Sequence, residues 1–208
     1  MRIDSLHSYS GRHTLEHLGT ILKRNRFDGS VLFTADLEPA PAFVRAIVIR
    51  SSRVDPAQLD ILQSEPRFRG LHCPGIPEGL AELERRNLSL DAGLAFVPAI
   101  ARSHPNLRIA FQPGGEVTPA AIAEAAALPN VCCKLAGLFD LAAPLDFVRH
   151  ALRVFGPGRL MFGSDWPAGL PDHTWKANLA LFTQSIGPQT IETREELLGG
   201  TAARFYAI

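Results

Sequence analysis

The chain has 208 residues, 46% hydrophobic and 20% charged, a balance that supports one substantial core and excludes a disordered chain. Its 21 basic and 21 acidic side chains cancel and no basic block stands out, so nucleic acid is not an expected partner. No apolar run approaches a membrane span and no signal peptide is evident, so the expectation is a cytoplasmic protein with a single domain over residues 1–208.

In chain order, short apolar runs of strand type alternate with longer stretches of helical period. Residues 2–7 form the first predicted strand. Leu15, Leu18 and Leu22 recur at helical spacing and predict a helix over 15–24. Asp28-Gly29 is a turn signal leading into a second strand over 30–34, and 46–50 is the third. Segment 35–45 between them is short and proline-rich, so this connection is expected to lack a normal crossover helix. Asp55 is a good N-cap for a helix beginning at Pro56. A fourth strand over 68–72, a helix over 77–86 and a fifth strand over 88–94 follow. The next helix, 96–103, ends at the breaker His104-Pro105-Asn106. The sixth strand is 107–111, and Thr118 caps an alanine-rich helix reaching residue 127. The seventh strand is 131–135, a helix covers 145–155, and the eighth strand is 160–164. Trp175, Leu179 and Phe182 mark a further helix, and another begins after Gly199-Gly200-Thr201. Eight strands interleaved with helices predict the α/β class and a compact (β/α)8 TIM barrel with an abbreviated second connection. The competing arrangement is an open doubly wound sheet. No glycine-rich dinucleotide loop follows the first strand, which weighs against it.

A barrel of this kind places its chemistry at the C-terminal ends of its strands. The polar residues at those ends are His7, Arg50, His72, Gln112, Lys134 and Asp165. Asp165 shares a strand face with Met161 and Gly163, and an aspartate at a rim serves as a general base or a metal ligand. Lys134 shares a face with Cys132 and Ala136. There it can bind a substrate carboxylate, stabilise an oxyanion or simply pair with an acid. His72 is a candidate acid/base group. Regular alternation puts His7 opposite Asp4, so the two share a face only if a bulge intervenes. The Gln112 amide can orient a substrate or water but is a poor metal ligand. Trp166 offers an apolar wall, and His173 follows the eighth strand closely enough to reach the rim. Cys73, Cys132 and Cys133 read as buried thiols, not as a disulfide framework.

Three segments carry a family resemblance: Cys133-Lys-Leu-Ala-Gly137, Gly158-Arg-Leu-Met-Phe-Gly-Ser-Asp-Trp-Pro167 and Gly199-Gly-Thr-Ala-Ala-Arg-Phe-Tyr206. Together they resemble the amidohydrolase-2 branch of the amidohydrolase superfamily, which contains sugar-lactone and 2-pyrone-4,6-dicarboxylate lactonases and related decarboxylases. The likeness is best over the last two thirds of the chain. It implies that Asp165 activates water, or binds metal as in metal-dependent relatives, and that Lys134 matches the lysine of the seventh-strand segment. The departures are specific. The family opens with Asp-x-His-x-His, where this chain has Asp4, Leu6 and Ser8 with His7 out of step. Its sixth-strand histidine falls at Gln112, and its fourth-strand Arg-His end becomes His72-Cys73.

The expectation is a hydrolase that opens a small acidic or sugar lactone by aspartate-activated water. Catalytic roles fall to Asp165, Lys134 and His72, and substrate binding to His7, Gln112, Arg50, Trp166 and His173. No cofactor and no preserved metal centre are expected, so the enzyme would be metal-independent or weakly metal-dependent. The partner is a small carboxylate or lactone, and association into a homo-oligomer remains compatible with the composition. The alternative is a degenerate barrel that binds a small organic acid without turning it over.

Overall fold

Period-2 alternation sorts the side chains of each strand into two sets, and the two sets build two cores. The computed structural model describes residues 1–8, 13–114 and 117–208. In chain order the elements are β1 (Ile3–Ser8), α1 (Leu15–Arg24), β2 (Gly29–Thr34), β3 (Val44–Arg50), α2 (Pro56–Leu62), β4 (Phe68–Cys73), α3 (Leu80–Arg85) and β5 (Ser89–Ala92). There follow α4 (Val97–Ser103), β6 (Arg108–Phe111), α5 (Pro119–Ala126), β7 (Val131–Leu135), α6 (Pro144–Phe155), β8 (Leu160–Phe162), α7 (Trp175–Ile186), α8 (Ile191–Glu195) and α9 (Thr201–Tyr206). The strands pair in parallel in the order β1 to β8. This is the compact (β/α)8 barrel, and segment 35–43 between β2 and β3 carries no helix, as its length and prolines dictate.

The outward set is large and branched. Leu32, Ile47, Ile49, Leu71, Leu90, Ile109, Leu135 and Phe162 pack against the helices in one continuous core. The inward set is smaller. Val31, Phe33, Ala46, Val48, Ala110, Ala136 and Met161 fill the lumen with Ala202, Phe205 and Tyr206 of α9. A barrel interior is narrow, so it takes alanine, valine and glycine where the outer layer takes leucine and isoleucine. Arg108 at the start of β6 donates to the Phe205 carbonyl, which places α9 across the N-terminal mouth of the barrel.

Helix starts follow the capping residues. Thr14, Asp55, Thr118 and Thr174 each accept a backbone N–H from the first turn with their side-chain oxygens. The sequence expectation for α3 began at residue 77. The helix begins three residues later because Gly79 takes a left-handed conformation at φ 82° and sets the entry.

The closing seam between β1 and β8 departs from a regular ladder. The predicted eighth strand reached residue 164, but β8 ends at Phe162. Beyond it the Ser164 N–H turns to the Asp4 carboxylate at 2.8 Å, the Asp165 N–H to the Leu6 carbonyl at 3.0 Å, and the Ser8 N–H to the Trp166 carbonyl at 2.8 Å. The register of β1 against β2 slips between Asp4 and His7, so regular alternation does not carry through this strand.

Candidate active site

Parallel pairing sets the depth of each polar residue in the lumen. Arg50 on β3 stands in register with His72 on β4, and His72 with Asp91 on β5. Lys134 on β7 stands beside Met161 on β8, and Asp165 follows four residues later at the rim. These side chains converge on a cavity of about 100 Å³ lined by Arg50, His72, Asp91, Gln112, Lys134 and Asp165, with Leu6, Phe33, Ala92 and Phe111 as its apolar walls. Its volume is well below the roughly 300–1,000 Å³ typical of pockets for drug-sized ligands.

Five of the sequence candidates therefore meet: Arg50, His72, Gln112, Lys134 and Asp165. Three do not line this cavity. His7 is fully buried, and neither ring nitrogen has a hydrogen-bond partner of ordinary geometry among the described residues. Burial lowers its pKa to about 3, so it is neutral at pH 7. Trp166 is wedged edge-on against His13 and His17, with ring centroids at 5.6 and 6.1 Å. His173 stacks on Phe139 at 3.9 Å and borders a second cavity of about 80 Å³, which also touches Asp165, Asp140 and Asn178.

Asp91 is the cavity residue that the sequence candidates omitted. It lies within the fifth strand and not at its end, and the pattern Leu88-Ser-Leu-Asp91 puts both polar residues on one face. That alternation was the available signal. Asp91 makes an ion pair with Lys134 and accepts a hydrogen bond from the Tyr206 hydroxyl at 3.1 Å. Burial lowers the Lys134 pKa, and Asp91 opposes that shift.

Asp165 combines an unusual backbone conformation with a raised pKa. Its φ of 54° lies in the left-handed region, which aspartate tolerates better than most residues. Such strain at a strand end aims the carboxylate, and it persists only where the surroundings hold it. Burial raises its pKa to about 6; the nearby carboxylates of Asp140 and Asp4 add to the rise, and Arg50 and Lys134 oppose it. His72 is half-buried and its pKa is lowered by burial, so it offers a neutral imidazole at pH 7.

Asp4, the preserved acid of the opening motif, has a structural task. Its Oδ1 accepts the Ser164 N–H and its Oδ2 accepts the Trp175 indole N–H at 2.7 Å, joining β1, the end of β8 and α7. The donor set does not suit a transition metal. Leu6 lines the cavity at one position where the resembled motif has histidine, Gln112 brings a neutral amide, and Asp91 is committed to Lys134. Among the described residues no group of three or more histidine, cysteine or acidic side chains is placed to hold an ion.

The amidohydrolase family pattern, Amidohydro_2, matches residues 79–208. An L-fucono-1,5-lactonase of Burkholderia ambifaria is 30% identical over 221 residues, covering 85% of this chain and 75% of the relative. An amidohydrolase of Burkholderia multivorans with bound HEPES superposes at TM-score 0.83 and 22% identity, over 100% of this chain and 99% of that one. A second crystal form from that organism, with bound zinc, superposes at TM-score 0.81 and 24% identity over the same shares. At those identities the superpositions speak for the barrel alone. The sequence match carries further, because it runs through β5 to α9 and includes the β8 aspartate: this chain belongs to the amidohydrolase family.

Proposed function

We propose that this protein opens a small acidic or sugar lactone by attack of a water molecule that Asp165 deprotonates. The observation that carries this reading is a carboxylate with its pKa raised to about 6, facing cationic Arg50 and Lys134 across one small cavity. A base titrating near 6 is ionised at pH 7 and still accepts a proton readily. The lactonase similarity supports the reaction class.

In the proposed reaction Asp165 takes one proton from water, and the resulting hydroxide oxygen bonds to the lactone carbonyl carbon. Negative charge develops on the carbonyl oxygen, where Arg50 and Lys134 stabilise it. Collapse of the tetrahedral species breaks the ring C–O bond. The departing alkoxide recovers the proton held by Asp165, giving a hydroxy acid and restoring the carboxylate. Neutral His72 and the Gln112 amide orient the ring by hydrogen bonding. His7 and Trp166 have no part in this scheme, and His173 acts only through the neighbouring cavity.

The test is turnover of a panel of sugar lactones and carboxylated lactones, followed by acid release. Asp165→Asn is expected to lower kcat by about 10²-fold or more while the protein still unfolds in one cooperative transition, at a midpoint no lower than the parent's. Equal turnover by the variant would overturn the assignment. So would stabilisation by an organic acid with no lactone opened, the outcome that belongs to a binding protein.

A further inference from the structure

Lys134 sits at the floor of the cavity and is held from three sides. Its ammonium pairs with Asp91 on β5, lies over the Phe33 ring on β2 at 3.9 Å, and stands 5.6 Å from the centroid of the Tyr206 ring on α9. Lys134, Asp91 and Tyr206 are 1%, 3% and 0% exposed, so these contacts are made out of reach of bulk solvent. The Asp91 carboxylate is shared between two donors: Oδ1 faces the Lys134 ammonium, and the Tyr206 hydroxyl donates to Oδ2 at 3.1 Å with a longer contact of 3.5 Å to Oδ1. Ala202 and Phe205 anchor the same helix in the lumen core, which fixes the ring of Tyr206 there.

A lysine has three donors and four rotatable bonds, so a lone ammonium at a cavity floor has no preferred direction. The carboxylate restrains it only if the carboxylate itself cannot turn. Tyr206 supplies that restraint, because a hydrogen bond to Oδ2 fixes the rotation of the group and draws charge away from Oδ1. We propose that Asp91 and Tyr206 are positioning residues for Lys134, and that helix α9 is thereby a working part of the substrate cavity as well as a plug. The consequence for turnover rests on the lactone-opening reading; the consequence for Lys134 itself does not.

The two roles separate experimentally. If Tyr206 only fills the lumen, Tyr206→Phe keeps the ring and leaves Lys134 unchanged. If it positions Asp91, the variant leaves the carboxylate charge concentrated on Lys134. The other groups that face or act on this ammonium are Asp165 from the end of β8, Cys133 on its own strand, and His72 and Arg50 across the cavity. All of these remain in the variant.

The chain contains three lysines, Lys23, Lys134 and Lys176, so 15Nζ labelling of the full protein gives a short, assignable set of signals. Lys23→Arg and Lys176→Arg assign the two exposed ones. In Tyr206→Phe the Lys134 midpoint is expected to rise by about half a pH unit, while those of Lys23 and Lys176 stay put. In Asp91→Asn, which preserves shape but removes the negative partner, it is expected to fall by about one pH unit or more. On a turned-over lactone, Tyr206→Phe should lower kcat about tenfold with KM nearly unchanged. A Lys134 midpoint indifferent to either substitution overturns the proposal. Failure of the wild-type protein to open any lactone removes the reading of the reaction and leaves the 15N result to decide the positioning.

Discussion

The surroundings of Asp165 that raise its pKa oppose stability at neutral pH. Its folded-state pKa of about 6 lies above the ordinary value of 3.8, so between those values the folded protein binds more protons than the unfolded chain. Stability from this group is therefore highest below about pH 4, falls as pH rises towards 6, and levels off above. Asp165→Asn should then be more stable than the parent by about 2 kcal/mol at pH 7 and nearly equal at pH 4, which urea unfolding at the two pH values reads directly. Activity runs the other way: kcat/KM should climb through a midpoint near pH 6 as the base ionises, and a flat profile from pH 5 to 8 would contradict the role. At this scale, position at the ends of the predicted strands picked out Arg50, His72, Gln112, Lys134 and Asp165, which line one cavity. The same rule also picked His7, which does not line the cavity, and passed over Asp91, which lies within its strand and not at the end.

The elements were legible wherever caps and periodicity agreed, as for α1, α2 and α5. They were less legible where one side chain replaces a backbone partner. The β1–β8 seam is the clearest instance. Asp4 accepts from two buried donors on distant elements, the Ser164 N–H and the Trp175 indole, and at 3.4 Å from the Leu6 N–H of its own strand. Its pKa is raised by burial, and those hydrogen bonds oppose the rise. Asp4→Ala leaves both donors unsatisfied in the interior and should cost about 3 kcal/mol, seen as a lower midpoint in chemical unfolding. A loss below about 1 kcal/mol would show that the seam is held by its backbone hydrogen bonds alone. The resemblance marked Asp4 as the first residue of the family's opening motif. Its contacts instead make it a clasp between barrel and helix layer, a role decided by Trp175, 171 residues away.

For the molecule as a whole, the donor set predicts indifference to metals. Dialysis against a chelator should leave both the thermal transition and lactone turnover unchanged, and added zinc should restore or raise neither. A chelator-sensitive activity would mean that His72 and Asp165 recruit ligands not seen together here. Among the described residues no helix is long and apolar enough to cross a membrane. The sequence by itself determined the barrel, its strand count and its helix-free second connection, because period, capping and proline placement are local and survive without knowledge of neighbours. It also marked the β8 aspartate, because strand ends are where such barrels work. Only the tertiary structure decided which polar residues share a cavity, that Asp91 pairs with both Lys134 and Tyr206, and that burial and two carboxylates from other parts of the sequence raise the pKa of Asp165. Those properties depend on register between strands, on a bulge and on the docking of the last helix, and each joins residues that no local pattern connects.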